Sequence, residues 1–151
     1  METTKTGFLY FVAIALKSSS LHCRQPKEEE ATPQILLVED SLVIRTQMIR
    51  ILSNAGYEVT AAVDGKDGLE KLETGTFQAI VSDVEMPNLS GLEMTQTIRQ
   101  SQVYNDLPII LVTTLAKEED KQRGADAGAN AYLTKGDFDQ TLLLNTLRRL
   151  I

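Results

Sequence analysis

Acidic and hydrogen-bonding side chains come at the ends of four apolar runs in this sequence. Glu39 and Asp40 follow ILLV, Asp83 follows AIVS, Thr113 follows IILV, and Lys135 follows AYLT. Three carboxylates that meet at one place repel one another, since two unit charges about 4 Å apart interact at about 4 kcal/mol for an effective dielectric near 20. Such a cluster persists only where some members are protonated or a cation lies among them.

The donor atoms of this set indicate which cation and which reaction to expect. Oxygen ligands without a nearby histidine or cysteine favour a hard ion, Mg²⁺, Mn²⁺ or Ca²⁺. Mg²⁺ keeps water ligands and commonly binds together with phosphate, so the set indicates phosphoryl chemistry. Asp83 is then the candidate nucleophile. Lys135 and Thr113 would hold two phosphoryl oxygens and the metal the third.

Each of these residues also has an ordinary structural interpretation. Glu39 and Asp40 would cap a helix, because helix N-termini favour acids. Asp83 would open a turn. Thr113 would be one more β-branched strand residue, and Lys135 a surface charge. The functional hypothesis therefore rests on the coincidence of all five residues at one place.

An alternation of short apolar runs and helix-like stretches must position these residues. The runs that predict strands are ILLV (35–38), YEVTAA (57–62), FQAIVS (77–82), IILVTT (109–114) and NAYLT (130–134). The stretches that predict helices are one that ends at Gly56, then 64–75, 91–101, 117–129 and 137–151. This order predicts a doubly wound α/β fold, a five-stranded parallel sheet with helices on both faces. The functional crevice of such a sheet lies at the carboxyl ends of its strands, where the candidate residues fall.

Composition excludes several classes of protein. The chain has 151 residues, 42% of them hydrophobic, which is enough for one domain with its own core. A formal net charge of −6 without a cluster of Lys and Arg argues against nucleic-acid binding. The single cysteine, Cys23, excludes an intrachain disulfide and is compatible with a reducing compartment. Cys23 and the neighbouring His22 do not by themselves make a metal site.

Residues 1–33 differ in character from the rest of the chain. The apolar run GFLYFVAIAL (7–16) is too short to span a bilayer as a helix, and it lacks the cleavage pattern of a signal peptide. RQPKEEEATPQ (24–34) has the composition of a linker. We therefore expect an extension and linker at 1–33, disordered or not native to the working protein, and a folded domain at 34–151. We expect no stable membrane insertion.

The motifs resemble those of the response-regulator receiver domain of bacterial two-component signalling. The resemblance covers 34–151 and lies in VED, SDVEMPNLSGLEM, LVTT and AYLTKG, whose separations also fit that family. It implies a flavodoxin-like (βα)5 receiver fold in which Asp83 accepts a phosphoryl group from a histidine kinase or its phosphotransfer domain. It further implies a cytoplasmic regulatory domain, not an enzyme, that acts on a downstream protein.

The resemblance also implies roles for the residues around the acid cluster. The implied Mg²⁺ ligands are Asp40, Asp83 and the backbone carbonyl of Glu85, with Glu39 acting through water. Thr113 would turn toward the phosphoryl oxygens and Tyr132 would follow it inward, which would change the face formed by the fourth helix, fifth strand and fifth helix. Packing in the core is the alternative interpretation of Tyr132.

Three positions depart from the usual receiver pattern. Gly136 stands where many receivers have proline, Thr114 is bulkier than the small residue often found there, and Glu85 adds a fourth carboxyl near the pocket. From the size and charge of these side chains we expect Thr114 and Glu85 to slow the attack of water on phosphorylated Asp83.

The C-terminal stretch YLTKGDFDQTLLLNTLRRLI resembles receivers fused to the C-terminus of chemotaxis-type hybrid histidine kinases. The acidic linker would suit a domain attached upstream. No DNA-binding module follows Ile151, so we expect output through a protein contact or competition for phosphate. The last helix contains more leucine than one core-facing stripe requires, which leaves a partner surface or a homodimer open beside ordinary burial.

Two other functions stay open at this point. A phosphatase of the haloacid dehalogenase type uses a similar residue set, but its nucleophile comes on the first strand and its metal acids late, the reverse of the order here. A phosphate-independent interaction module would keep the fold and lose the chemistry, although all five pocket positions hold usable residues. Dinucleotide binding is disfavoured, since no G-x-G-x-x-G follows the first strand.

Overall fold

The short apolar runs form one parallel β-sheet. The computed structural model describes residues 31–137 and 139–151, so the predictions for 7–16, His22 and Cys23 lie outside the described residues. The strands are β1 Gln34–Val38, β2 Glu58–Ala62, β3 Ala79–Ser82, β4 Ile109–Thr113 and β5 Ala131–Thr134. Their order across the sheet is β2-β1-β3-β4-β5, and every neighbouring pair is parallel. The predicted doubly wound (βα)5 architecture is confirmed.

A helix follows each strand. The helices are α1 Leu42–Asn54, α2 Gly65–Thr74, α3 Gly91–Gln100, α4 Glu118–Ala127 and α5 Gln140–Leu150. Side chains cap four of the five: Ser41, Asp64, Ser90 and Asp139 each accept a hydrogen bond from an amide in the first turn. The cap residue of α4, Lys117, makes no such bond. Helix α4 is therefore the only one of these five without a side-chain cap.

Several element ends differ from the sequence prediction. Strand β2 begins one residue late because the Tyr57 amide donates to the last turn of α1. Helix α4 ends at Ala127, earlier than predicted, because Gly128 adopts a φ of 102°, in the left-handed region. Helix α5 begins at Gln140 and not at 137, because Lys135–Asp137 form a 3₁₀ turn after β5. The other strand ends differ from the predicted runs by one or two residues.

Alternate strand residues supply two separate cores. Leu36, Val38, Ile80 and Leu111 pack on one face of the sheet with residues of α2, α3 and α4. Ile35, Leu37, Val81 and Ile110 pack on the other face with residues of α1 and α5. Because helices cover both faces, β1, β3 and β4 have apolar residues in continuous runs. The polar residues that follow these runs are held at the sheet edge by two cores at once.

The leucine-rich α5 is only partly buried. Leu143 and Leu147 have no exposed surface, whereas 48% of Leu142 is exposed. One leucine thus lies outside the core-facing stripe, as the sequence indicated. Within the described residues, the helices are too short or too polar to cross a membrane.

Candidate functional site

Three carboxylates meet at the carboxyl edge of the sheet. Val38 and Ser82 are paired in the register of β1 and β3, so the residues that follow them, Glu39 and Asp83, become neighbours. Oxygen atoms of Glu39, Asp40 and Asp83 lie within 4.8 Å of one another. Glu39 is 3% exposed and Asp83 9%, whereas Asp40 faces solvent. Two buried acids and one open acid form a cluster that needs a cation.

Lys135 supplies one positive charge to this cluster. Its Nζ donates to Glu39 Oε2 at 2.9 Å and to Asp83 Oδ2 at 3.0 Å. Burial disfavours the charged ammonium, but the hydrogen bonds to Glu39 and Asp83 and the negative charges of these acids together outweigh it and raise the pKa of Lys135. Burial raises the pKa of Glu39, and the hydrogen bonds from Lys135 and the Ser41 amide offset this in part. The lysine is therefore a fixed internal counter-ion.

Arg45 supports the acid pair from α1, and the sequence analysis missed it. Its guanidinium donates to the backbone carbonyls of Glu39 at 2.9 Å and Asp40 at 3.2 Å. A cation in the first turn of α1 was visible in the sequence. Its reach back to the backbone was not, because that depends on how α1 leaves the strand. Arg45 thereby fixes the turn that presents both acids.

The backbone after β3 holds Asp83 in place. The Val84 amide donates to Asp83 Oδ1 at 2.6 Å, and the Ser82 hydroxyl donates to the Asp83 carbonyl at 2.8 Å. The Gly91 amide, at the start of α3, donates to the Val84 carbonyl at 2.9 Å. A Cβ at Gly91 would lie 2.0 Å from the Asp83 carbonyl oxygen. Only glycine permits this approach of α3 to the end of β3.

Thr113 and Tyr132 meet at the loop that follows β4. Thr113 is fully buried, and its hydroxyl accepts from the Leu115 amide at 3.3 Å. The Tyr132 hydroxyl donates to the Leu115 carbonyl at 2.9 Å. The Tyr132 ring lies against Gly124 of α4, where an added Cβ would be 2.6 Å from a ring carbon. The threonine and the tyrosine are thus joined through Leu115.

An open cavity of about 500 Å³ lies beside the acid cluster. Its lining includes Asp40, Glu85, Met86, Leu115 and Arg123. Glu85 is exposed, which puts the fourth carboxylate at the mouth of the site. Thr114, predicted as a strand residue, lies just beyond β4 and is exposed. Gly136 has no atom within 4 Å of the position of an added Cβ, so contacts with that position do not explain why glycine stands there.

The donor set fits a hard divalent cation. Three carboxylates converge, and carboxylate oxygens are ligands that hard divalent cations prefer. Lys135 neutralises only part of the charge of the three acids. This arrangement matches the chemistry of Mg²⁺, which takes one or two carboxylates together with waters and phosphate oxygens.

Comparisons with known proteins agree with this geometry. Residues 35–148 match the family profile described as "Response regulator receiver domain". The chain is 35% identical over 117 residues to a gliding motility regulatory protein of Myxococcus xanthus, covering 78% of this chain and 15% of that protein. It is 36% identical over 115 residues to the transcriptional regulatory protein DltR of Streptococcus agalactiae, covering 76% of this chain and 50% of that protein. The chain thus spans half or less of these curated relatives.

Solved structures of similar domains match this chain over nearly their full length. The chemotaxis protein CheY4 of Vibrio cholerae gives a TM-score of 0.74 at 39% identity, covering 80% of this chain and 100% of that one. The receiver domain of a sensor histidine kinase of Pseudomonas aeruginosa gives 0.73 at 35% identity, covering 80% and 98%. That structure has a magnesium ion coordinated in its active-site cleft. The chain therefore belongs to the response-regulator receiver family, a family of phosphoacceptor signalling domains.

Proposed function

We propose that Asp83 accepts a phosphoryl group from a phosphohistidine of a histidine kinase or of its phosphotransfer domain. An Asp83 carboxylate oxygen attacks phosphorus, a phosphorus–oxygen bond forms, and the phosphorus–nitrogen bond to the donor imidazole breaks. The imidazole nitrogen leaves with the bonding electrons. The observation that supports this most is the convergence of Glu39, Asp40 and Asp83 with Lys135, which bonds to two of the three acids.

The residues around Asp83 would hold Mg²⁺ and the phosphoryl oxygens. Asp40, Asp83 and the Glu85 carbonyl are the proposed metal ligands, with Glu39 acting through water. Mg²⁺, when bound, neutralises the charge that develops on the phosphoryl oxygens. Lys135 already lies 3.0 Å from Asp83 Oδ2, so it is placed to donate to one phosphoryl oxygen with little movement.

Thr113 and Tyr132 are the proposed switch. The Thr113 hydroxyl donates to a phosphoryl oxygen once Asp83 is modified, and its contact with the Leu115 amide then changes. Tyr132 bonds to the carbonyl of the same Leu115, so it responds to that change. The altered surface would be that of α4, β5 and α5, where Leu142 already exposes apolar area to a protein partner or a second copy.

The biological setting follows from the proposed donor. A histidine kinase donor and a single cysteine in the sequence fit the cytoplasm. We propose regulation of a downstream protein, not of nucleic acid, since the net charge is −6. We further propose that the domain derives from a chemotaxis-type hybrid histidine kinase. The domain itself occupies 34–151 in this proposal, and 1–33 is extension and linker.

Intact mass spectrometry after incubation of the full chain with acetyl phosphate tests the proposal. The wild type should gain one phosphoryl group with Mg²⁺ and none without it, and Asp83→Asn should gain none. If the wild type gained no phosphoryl group, two explanations would be left: a phosphate-independent interaction module, or a phosphorylated product too short-lived to detect. Binding of beryllofluoride, which needs the pocket but no phosphoryl transfer, separates these two.

A further inference from the structure

Asp64 caps α2, as its place before that helix predicts, and it also bonds to the loop that follows β3. It precedes α2, and its Oδ1 accepts from the Asp67 amide at 2.8 Å as a helix cap. Its second oxygen, Oδ2, accepts from the side-chain amide of Asn88 at 2.6 Å. Asn88 belongs to the loop between Asp83 and α3. One carboxylate, 8% exposed, thus ties the cap of α2 to the loop that follows the phosphoacceptor.

A backbone contact lies next to this hydrogen bond. The Gly65 amide donates to the Leu89 carbonyl at 3.1 Å. A Cβ at Gly65 would lie 2.5 Å from that carbonyl oxygen, so a side chain there would separate the two loops. Adjacent residues on each loop, Asp64 with Gly65 and Asn88 with Leu89, therefore join the loops at two points.

Asn88, which donates to Asp64, has an unusual backbone conformation. Its φ is 65°, in the left-handed region that non-glycine residues rarely adopt. Pro87 precedes it, and the Leu89 amide donates back to the Pro87 carbonyl at 2.7 Å, which closes a tight turn. Asparagine tolerates this region better than most residues, and here its side chain gains a charge-assisted hydrogen bond from the same conformation. The hydrogen bond to Asp64 therefore stabilises the left-handed conformation of Asn88.

The loop that contains this turn also contains a proposed metal ligand. It begins at Val84, whose amide donates to Asp83 Oδ1, and it passes through Glu85, whose carbonyl is the proposed third protein ligand. The far end of the loop is fixed where the Gly91 amide donates to the Val84 carbonyl. Between these fixed points, the hydrogen bonds that the structure describes between this loop and neighbouring loops are those with Asp64 and Gly65. Asn88, the residue that Asp64 holds, lies three positions after Glu85 in this loop.

We propose that Asp64 and Asn88 are a positioning pair that holds the Glu85 carbonyl in place for Mg²⁺. This inference rests on the proposed function, because it requires a divalent cation at the acid cluster. Neither residue touches the reacting atoms. Outer groups that orient metal ligands commonly change metal affinity by about 10-fold to 100-fold when they are mutated. The pair should therefore act on Mg²⁺ affinity more than on the stability of the fold.

Two variants of the full chain test the hydrogen bond between Asn88 and Asp64. Together they separate its effect from that of the left-handed turn and from that of the α2 cap. Asn88→Gly removes the amide donor, keeps the left-handed turn accessible and leaves the cap of α2 intact. Asp64→Ala removes both the bridge and the cap. The matched control is Asp139→Ala, which removes an aspartate that caps α5 through the Thr141 amide at 2.8 Å. The hydrogen bonds described for Asp139 all come from the first turn of α5, and none of them involves the loop after β3.

The measurement is the dissociation constant for Mg²⁺ alone, obtained by calorimetric titration, together with urea unfolding of each variant. We expect Asn88→Gly and Asp64→Ala to weaken Mg²⁺ binding to a similar extent, about 10-fold. The double variant should be no weaker than either single one, because both remove the same interaction. Asp139→Ala should bind Mg²⁺ like the wild type although it loses a helix cap.

The outcomes separate this inference from the proposed function. Wild-type Mg²⁺ affinity in Asn88→Gly, or additive losses in the double variant, would overturn the positioning role while phosphorylation of Asp83 stands. An equal loss of Mg²⁺ affinity in Asp139→Ala would also overturn it, since the loss of any helix cap would then explain the effect. A wild type that binds neither Mg²⁺ nor beryllofluoride would remove the proposed function and this inference with it.

Discussion

Lys135 Nζ and Asp83 Oδ2 lie 3.0 Å apart and join the end of β5 to the end of β3 across the intervening β4. The same ammonium lies 2.9 Å from Glu39 Oε2, at the end of β1. The positive charge of Lys135 therefore partly neutralises two acids that follow two different strands. A divalent cation bound at this site would share both acids with Lys135, so its binding would be linked to the stability of the fold.

Replacing Lys135 should destabilise the metal-free protein strongly. Lys135→Met leaves two buried carboxylates without their counter-ion, and breaking a buried pair in this way costs about 3–5 kcal/mol. Mg²⁺ should restore more stability to this variant than to the wild type, because it becomes the only cation among the acids. Urea unfolding with and without Mg²⁺ measures both effects.

The control for Lys135→Met is Lys121→Met. Lys121 pairs with Glu118 at 3.1 Å, and 89% of the glutamate side chain is exposed. The loss of that pair should change the free energy of unfolding by less than about 1 kcal/mol, with or without Mg²⁺. Similar costs for the two variants would contradict a structural role of the buried ammonium.

Gly91→Ala should displace Asp83, the proposed phosphoacceptor. The new Cβ would lie 2.0 Å from the Asp83 carbonyl oxygen, so the end of β3 or the start of α3 must move. Overpacking of this kind costs about 1–3 kcal/mol. We expect lower stability and slower labelling of Asp83 by acetyl phosphate, followed by intact mass.

Gly136→Ala is the matched glycine substitution on the other side of the site. No atom lies within 4 Å of its added Cβ, so both stability and labelling should stay at the wild-type level. If the two alanine variants were labelled at the same rate, the contact between Gly91 and Asp83 would have no effect on the reaction.

Acid should unfold the protein as its capping carboxylates take up protons. The Asp67 amide and the Asn88 side chain lower the pKa of Asp64, with a smaller contribution from Lys66. The backbone amide and the hydroxyl of Ser90 lower the pKa of Glu93. Folding therefore favours the ionised forms. This stabilisation is present above the ordinary carboxyl pKa values of about 4 and is lost as the pH falls through the lower values of the folded state.

Thermal unfolding between about pH 5 and pH 2 tests this dependence, and Asp64→Asn should show the shallower fall in Tm. Glu39 acts in the opposite direction, because burial raises its pKa and its contribution to stability falls as the pH rises. Glu39 is present in both the wild type and Asp64→Asn, so the difference between their Tm curves reports the contribution of Asp64. Parallel Tm curves for the two proteins would show that Asp64 does not titrate with folding.

The sequence predicted the sheet and the acid cluster because both depend on local patterns. Val38 and Ser82 end apolar strands, so the acids that follow them had to meet at one edge. The contacts of Arg45 with the acid pair were not predictable, because they depend on the angle at which α1 leaves β1. The hydrogen bond between Asp64 and Asn88 was not predictable either, since it requires the shape of two loops 24 residues apart.

Thr114 and Glu85 should lengthen the life of the phosphorylated state. Both are exposed, and Glu85 lines the open cavity together with Asp40. The negative charge of Glu85 would disfavour the approach of hydroxide, and Thr114 would add bulk at the mouth of the site. The variant with Thr114→Ala and Glu85→Asn should therefore lose phosphate faster than the wild type, measured by intact mass after removal of acetyl phosphate. An unchanged rate of loss would contradict a protective role of these side chains.

Gly124→Ala should fail to stabilise the protein, although the change places alanine in the interior of a helix. Such a substitution ordinarily gains about 1 kcal/mol. Here the added Cβ would lie 2.6 Å from the Tyr132 ring, so the ring must move and its hydrogen bond to the Leu115 carbonyl must weaken. Urea unfolding of Gly124→Ala in the wild type and in a Tyr132→Ala background measures the conflict. The gain should appear only where the ring is absent, and a gain of equal size in both backgrounds would show that Gly124 makes no room for Tyr132.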